Sequence, residues 1–134
     1  MDEAHGPHLG FNDKWPMSAM KAGADMCSQS THKIIGALTQ CSLLQVKSKY
    51  IDVNRVQQIL SILQTTSPSY ILMASLDCAR RQIALHGKEL LDKAINLSNY
   101  AREEINKIPG FYCFGKEILN NPGVYALDPT KITI

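Results

Sequence analysis

The stretch S-Q-S-T-H-K-I-I-G-A-L-T-Q-C-S, residues 28–42, sets a lysine, Lys33, on a turn between two short runs of apolar and small residues. Ala24–Ser30 reads as a strand, Thr31–Gly36 as the turn, and Ala37–Val46 as a second strand antiparallel to the first, with its first half ambiguous. A lysine on such a turn is held by backbone on both sides. Ser30 and His32 precede it as hydrogen-bond donors, and Gly36 and Ala37 follow it as small residues that let backbone approach a ligand. This suits an amine that forms an imine with a carbonyl cofactor, since the amine must lose its proton and burial or nearby positive charge favours that. Ser30 and His32 can donate to an anionic group such as phosphate. The plain alternative is a surface lysine on a turn, and for an isolated S-x-H-K that alternative wins.

Working outward, D-E-A-H-G opens the chain at residues 2–6, and Pro7 and Gly10 mark a loop. Pro16 precedes a short helical stretch, Met17–Ala22, closed by Gly23 in the manner of a C′ glycine. Asp52 is an N-cap for a helix carrying Val53, Val56, Ile59, Leu60 and Leu63 on one face. Ser67, with Pro68 at the first helical position, starts another helix reaching about Ile108. Its apolar stripe begins at Leu72, Leu76, Ala79 and Ile83 and continues through Leu90, Ala94, Leu97, Ala101 and Ile105. Unbroken, it would span roughly 55 Å at 1.5 Å per residue. It is expected to bend near His86 and Gly87 or to bridge two domains. Pro109 and Gly110 end it, and Phe111–Gly115 and Thr130–Ile134 read as two short strands around a turn-rich loop. Both ends of the chain read as strands cut mid-element, and there is no internal repeat.

With 134 residues, 45% of them apolar and 19% charged, the chain is about one ordinary globular domain. A formal net charge of +2, with scattered basic residues, gives no footprint for nucleic acid or an anionic membrane. No apolar run approaches the about 20 residues of a membrane span. Residues 2–5 are unlike a signal peptide, so the expected location is the cytoplasm. The four cysteines are far apart and read as buried thiols rather than a zinc or redox set.

The stretch around Lys33 resembles the pyridoxal-phosphate attachment site of the Orn/Lys/Arg decarboxylases: S-x-H-K, two variable residues, two small ones and, one position further on, a small residue and Gln. Ser30, His32, Lys33, Gly36, Ala37, Thr39 and Gln40 stand in that register, and Ser28 and Ser42 suit the small positions at its edges. Cys41 departs mildly from the pattern, and Gln45 stands where many members carry His. D-E-A-H-G, L-T-Q-C-S-L-L-Q-V and Q-T-T-S-P-S-Y-I-L-M-A-S-L-D-C-A-R are similar to the same family, so the likeness covers most of the chain.

The resemblance implies an α/β fold: part of the large domain of an aspartate-aminotransferase-like pyridoxal enzyme, residues 1–108, with 109–134 beginning a small domain. It implies decarboxylation of arginine, lysine or ornithine to an amine of the polyamine pathway. Lys33 would carry the cofactor as the internal aldimine, and Asp2 would pair with the pyridinium nitrogen. Ala4 would pack beneath the ring, His5 would reach its phenolic oxygen, and Ser30 and His32 would contact the phosphate. Family members are much longer and oligomeric, so the expected partners are a basic amino acid and either further copies or a complementing N-terminal segment. The competing expectation is a fragment with little activity alone.

Other readings are weaker. D-E-A-H also spells a helicase box, but the chain has no G-x-x-x-x-G-K-[ST] loop to hold nucleotide. His5 and His8 make half a metal site without a third ligand. Thr65–Ser69 offers hydroxyls at a helix start that can hold a phosphate or simply cap the helix.

Overall fold

The computed structural model describes residues 1–47 and 49–134. Its order is β1 (Met26–Gln29), α1 (Thr31–Ile34), β2 (Leu43–Val46), α2 (Val53–Leu63), α3 (Tyr70–Ile105) and a 3-10 turn, Lys116–Asn120. It is a small α/β unit. β1 pairs antiparallel with β2, Met26 opposite Val46 and Gln29 opposite Leu43, so the Lys33 turn joins the two strands as expected. On the other side of β1 the opening residues run parallel to it. Asp2 bridges Ser28, and Ser30 N–H donates to the Ala4 carbonyl at 3.2 Å. Cys27 and Gln29 point inward while Met26 and Ser28 point out, the two-residue alternation of a half-covered strand.

The second strand is shorter than the sequence predicts, because residues 37–42 are committed to α3. Ala37 and Cys41 are buried against Ala79, with Leu72 and Leu76 beside them. Their stretch finds side-chain partners in place of a ladder: Ser75 Oγ accepts from Leu38 N–H at 2.8 Å, and Thr31 Oγ1 donates to the Cys41 carbonyl at 2.8 Å. The Thr31–Gly36 turn is itself one helical turn, α1, followed by Gly36 at φ 75°. Met17–Ala22 forms successive turns rather than a helix, and Gly23, at φ 97°, closes them in the left-handed region.

Asp52 caps α2 as expected, accepting from Arg55 N–H. The cap of α3 is Ser69, accepting from Leu72 N–H, rather than Ser67, and the helix begins at Tyr70, two residues beyond Pro68. From there α3 runs 36 residues as one element through His86 and Gly87. Its buried line is Ala79, Ile83, Gly87, Leu91, Ile95 and Ser98. Beyond Ile83 this departs from the predicted stripe and leaves Leu90 and Leu97 exposed. Trp15 decides the choice: it is buried with Ile83, Leu91 and Ile95, and Leu9 and Ile35 close the cluster.

Phe111–Gly115 and Thr130–Ile134 are not strands among the described residues. Their backbone is satisfied by side chains of the α3 end. The Asn106 amide exchanges two hydrogen bonds with Cys113. The Arg102 guanidinium donates to the carbonyls of Phe114, Pro129 and Lys131.

Candidate functional site

Lys33 is exposed on α1, one turn past the end of β1. The parallel run of residues 1–4 brings Asp2 and Ala4 alongside, and the turn after it carries His5. The result is an open cleft of about 560 Å³ whose walls include Asp2, Ala4, His5 and Lys33. Four of the six residues singled out in the sequence thus share one cavity. One oxygen of the Asp2 carboxylate accepts from Ala4 N–H at 2.9 Å and so fixes the side chain, while the other makes no hydrogen bond among the described residues.

Ser30 and His32 are not among the residues lining that cleft. Ser30 stands at the N-cap of α1 without a side-chain cap bond. The His32 ring lies 2.7 Å from the Cys41 carbonyl through Nδ1. A carbonyl only accepts, so Nδ1 must carry the proton. Nε2 is then an acceptor in the neutral ring and a donor only in the imidazolium.

The floor is made by Glu3, which the sequence reading passed over. It is 8% exposed, and its carboxylate accepts from Ala19 N–H and from Gln29 Nε2, each at 2.6 Å. Gln29 in turn accepts from Gln45 Nε2 at 2.6 Å. The chain of bonds runs from the cleft floor across β1 to β2, and Gln45 has a structural task in it. Burial, reinforced by the Glu3 charge, pushes the Cys27 thiol up from its ordinary value, which leaves it a protonated core thiol. Gly6 is buried against the Glu3 stem, where a side chain would collide.

The far wall comes from the other end of the chain: Asp128 and Lys131 line the same cleft. Asp128 is clamped by His8, which is fully buried, lies edge-on to Trp15 at 4.5 Å, and donates through Nε2 at 3.1 Å. Thr130 adds its N–H at 3.0 Å and its hydroxyl at 2.7 Å. Burial opposes ionisation of Asp128, but the bonds from His8 and Thr130 outweigh it and hold the carboxyl below its ordinary value. The D-P-T order was a visible turn signal. Nothing local pointed it at residues more than a hundred positions earlier.

The other candidates resolve into local roles. His8 is taken up by Asp128 rather than paired with exposed His5, and no group of three metal-ligating side chains occurs among the described residues. The Thr65–Ser69 hydroxyls cap their own turn: Thr65 Oγ1 accepts from Ser67 N–H and Ser69 Oγ from Leu72 N–H. Three of the cysteines are buried and Cys78 is exposed. No helix is long and apolar enough to cross a membrane among the described residues.

Comparison with known proteins places these residues in a family. The family model described as Orn/Lys/Arg decarboxylase, major domain, matches residues 1–132. The chain is 48% identical, over all its 134 residues, to a protein of Bacillus subtilis named arginine decarboxylase, and covers 27% of that protein's length. It is 51% identical over the same span to an arginine decarboxylase of Halalkalibacterium halodurans, again covering 27%. The constitutive lysine decarboxylase of Escherichia coli is 33% identical over 82 residues, 60% of this chain and 11% of that protein. The chain therefore spans about a quarter of the arginine decarboxylases it matches, and it belongs to the Orn/Lys/Arg decarboxylase family.

Proposed function

We propose that this chain is the cofactor-lysine portion of a pyridoxal-phosphate-dependent decarboxylase that acts in the cytoplasm on a basic amino acid and releases carbon dioxide and a polyamine-pathway amine. The observation that carries the reading is the convergence of Lys33, Asp2, Ala4 and His5 on one cleft. That set fits the ring end of the cofactor: an amine for its carbonyl, a carboxylate for its ring nitrogen, and a small side chain for its face. When bound, pyridoxal phosphate supplies the electron sink that takes the pair left behind as the carboxylate departs.

The residues divide the remaining work. Lys33 holds the cofactor covalently. Asp2, with one oxygen already fixed by Ala4 N–H, keeps a proton on the ring nitrogen through the other. Ala4 leaves room for the ring, and His5 donates to its phenolic oxygen. Ser30 and His32 serve the phosphate, His32 through Nε2 in its protonated form, since Nδ1 is committed to Cys41. Residues 1–108 form part of an aspartate-aminotransferase-like large domain, and 109–134 begin a small domain. The rest of the relatives' length, as a complementing N-terminal segment or within a homo-oligomer, closes the cleft against water. Arginine is the substrate favoured by relatives about half identical to this chain.

The test is release of carbon dioxide and amine from arginine, lysine and ornithine, by the chain alone and with a polypeptide carrying the missing portion of a relative. Little or no turnover alone and clear turnover with the added portion is expected. No turnover of any of the three in either form rejects the decarboxylase reading. Full turnover by the chain alone rejects the need for completion.

A further inference from the structure

The segment 128–131 is irregular, yet it is held from two separate parts of the molecule and closed by a turn of its own. His8, buried in the opening loop, bonds the Asp128 side chain. Arg102, near the end of α3, donates to the Pro129 carbonyl at 3.2 Å and the Lys131 carbonyl at 3.0 Å. Lys131 N–H closes the turn on the Asp128 carbonyl at 3.1 Å. So anchored, the segment sets Asp128 and Lys131 into the wall of the cleft that also holds Lys33.

The two charges it presents there are not equivalent. The Asp128 carboxylate is occupied: it accepts from His8, from Thr130 N–H and from the Thr130 hydroxyl. Lys131 forms a looser ion pair with it: its Nζ stands 3.8 Å from Asp128 Oδ2, beyond hydrogen-bond reach, and its donors make no hydrogen bond among the described residues. Elsewhere in the molecule lysines close directly on carboxylates, Lys14 on Asp92 at 2.7 Å and Lys107 on Glu104 at 2.6 Å. The oxygen nearest Lys131, Asp128 Oδ2, is the one that accepts from His8. An ammonium fixed at its backbone, open at its donors and facing a cavity is suited to a ligand's anion.

We propose that Lys131 is an anion-binding residue of the Lys33 cleft, donating to a phosphate or carboxylate group of the molecule bound there. The ligand's identity rests on the function proposed above. The anion site itself does not.

The experiment uses the full chain with lysine labelled at 13Cε, the Lys131 resonance being assigned by its loss in Lys131→Gln. Inorganic phosphate is expected to move that resonance well beyond those of Lys14 and Lys107, which serve as paired surface controls. Two ligand pairs then name the source. If the anion is the phosphate, Lys131→Gln weakens pyridoxal phosphate about tenfold relative to pyridoxal, a loss typical of one charge-assisted bond. If it is the substrate carboxylate, the same variant weakens arginine relative to agmatine, which lacks the carboxylate. Lys131→Arg should retain most of either preference. A Lys131 resonance that no anion moves, or a loss shared equally by both members of each pair, overturns the proposal. A phosphate-dependent shift with no Lys33-dependent visible band would keep the anion site and remove the pyridoxal function.

Discussion

At the scale of single residues, the cleft depends on side chains placed by hydrogen bonds that local sequence only partly announces. Asp128 offers the clearest pH test. Its carboxyl is held below the ordinary 3.8, so its contribution to stability is complete above that value and is lost as pH falls through the folded value. Asp128→Asn is expected to lower stability at pH 7 by roughly 1–2 kcal/mol, the scale of bonds to a charged group, and the deficit should shrink below about pH 4. Urea unfolding at pH 7 and pH 3.5 checks this, and an equal deficit at both values would contradict the clamp. Asp2, Ala4, His5 and Lys33 are visible as candidates in the sequence because their motifs are short and continuous, and they line one cleft. Glu3 is not visible in that way, although it stands inside one of those motifs, because its partners Ala19 and Gln29 lie a loop and a strand away. The sequence shows His32 as a donor but not that the Cys41 carbonyl claims its Nδ1.

At the scale of elements, Gly87 shows why periodicity misled. A glycine in mid-helix reads as a hinge, at a cost of about 1 kcal/mol against alanine. Here a side chain at that position would meet Phe11 Cβ and the Ile83 side chain at 3.3 Å, so the glycine lets the opening loop lie directly on α3. Gly87→Leu is expected to destabilise the chain by about 1–3 kcal/mol despite its better helix propensity. A urea midpoint that rises would show that propensity, rather than loop packing, rules this position. The existence of α2 and α3 was readable from apolar spacing and capping residues. Which stripe of α3 is buried was not, since Leu90 and Leu97 make as good a stripe as Leu91 and Ile95 until Trp15 is placed. The strands expected near the end failed for a similar reason. A short apolar run becomes a strand only beside a partner strand, and Asn106 and Arg102 take up that backbone instead.

At the scale of the molecule, Arg102 ties the segment that follows α3 to the body. Arg102→Gln is expected to leave α3 intact by circular dichroism while residues 111–131 exchange amide hydrogens at least about tenfold faster, since their opening would cost about 1.4 kcal/mol less. Unchanged exchange there would mean the segment is held by other contacts. The molecule also leaves apolar surface uncovered. α2 buries no residue, and Ile62, Leu63, Tyr70 and Ile71 are each more than 70% exposed. A second cavity of about 310 Å³ lies between Gln29, Gln45 and the Met73–Ile83 face of α3. In relatives nearly four times as long, there is ample chain to cover such faces.

The proposed function requires Lys33 to hold the cofactor. The direct test is a pyridoxal-phosphate titration of the purified chain followed by visible absorbance, run beside Lys33→Ala. A saturable visible band is expected in the parent and should be absent in the variant. A band of equal size in both, or none in either, would contradict it.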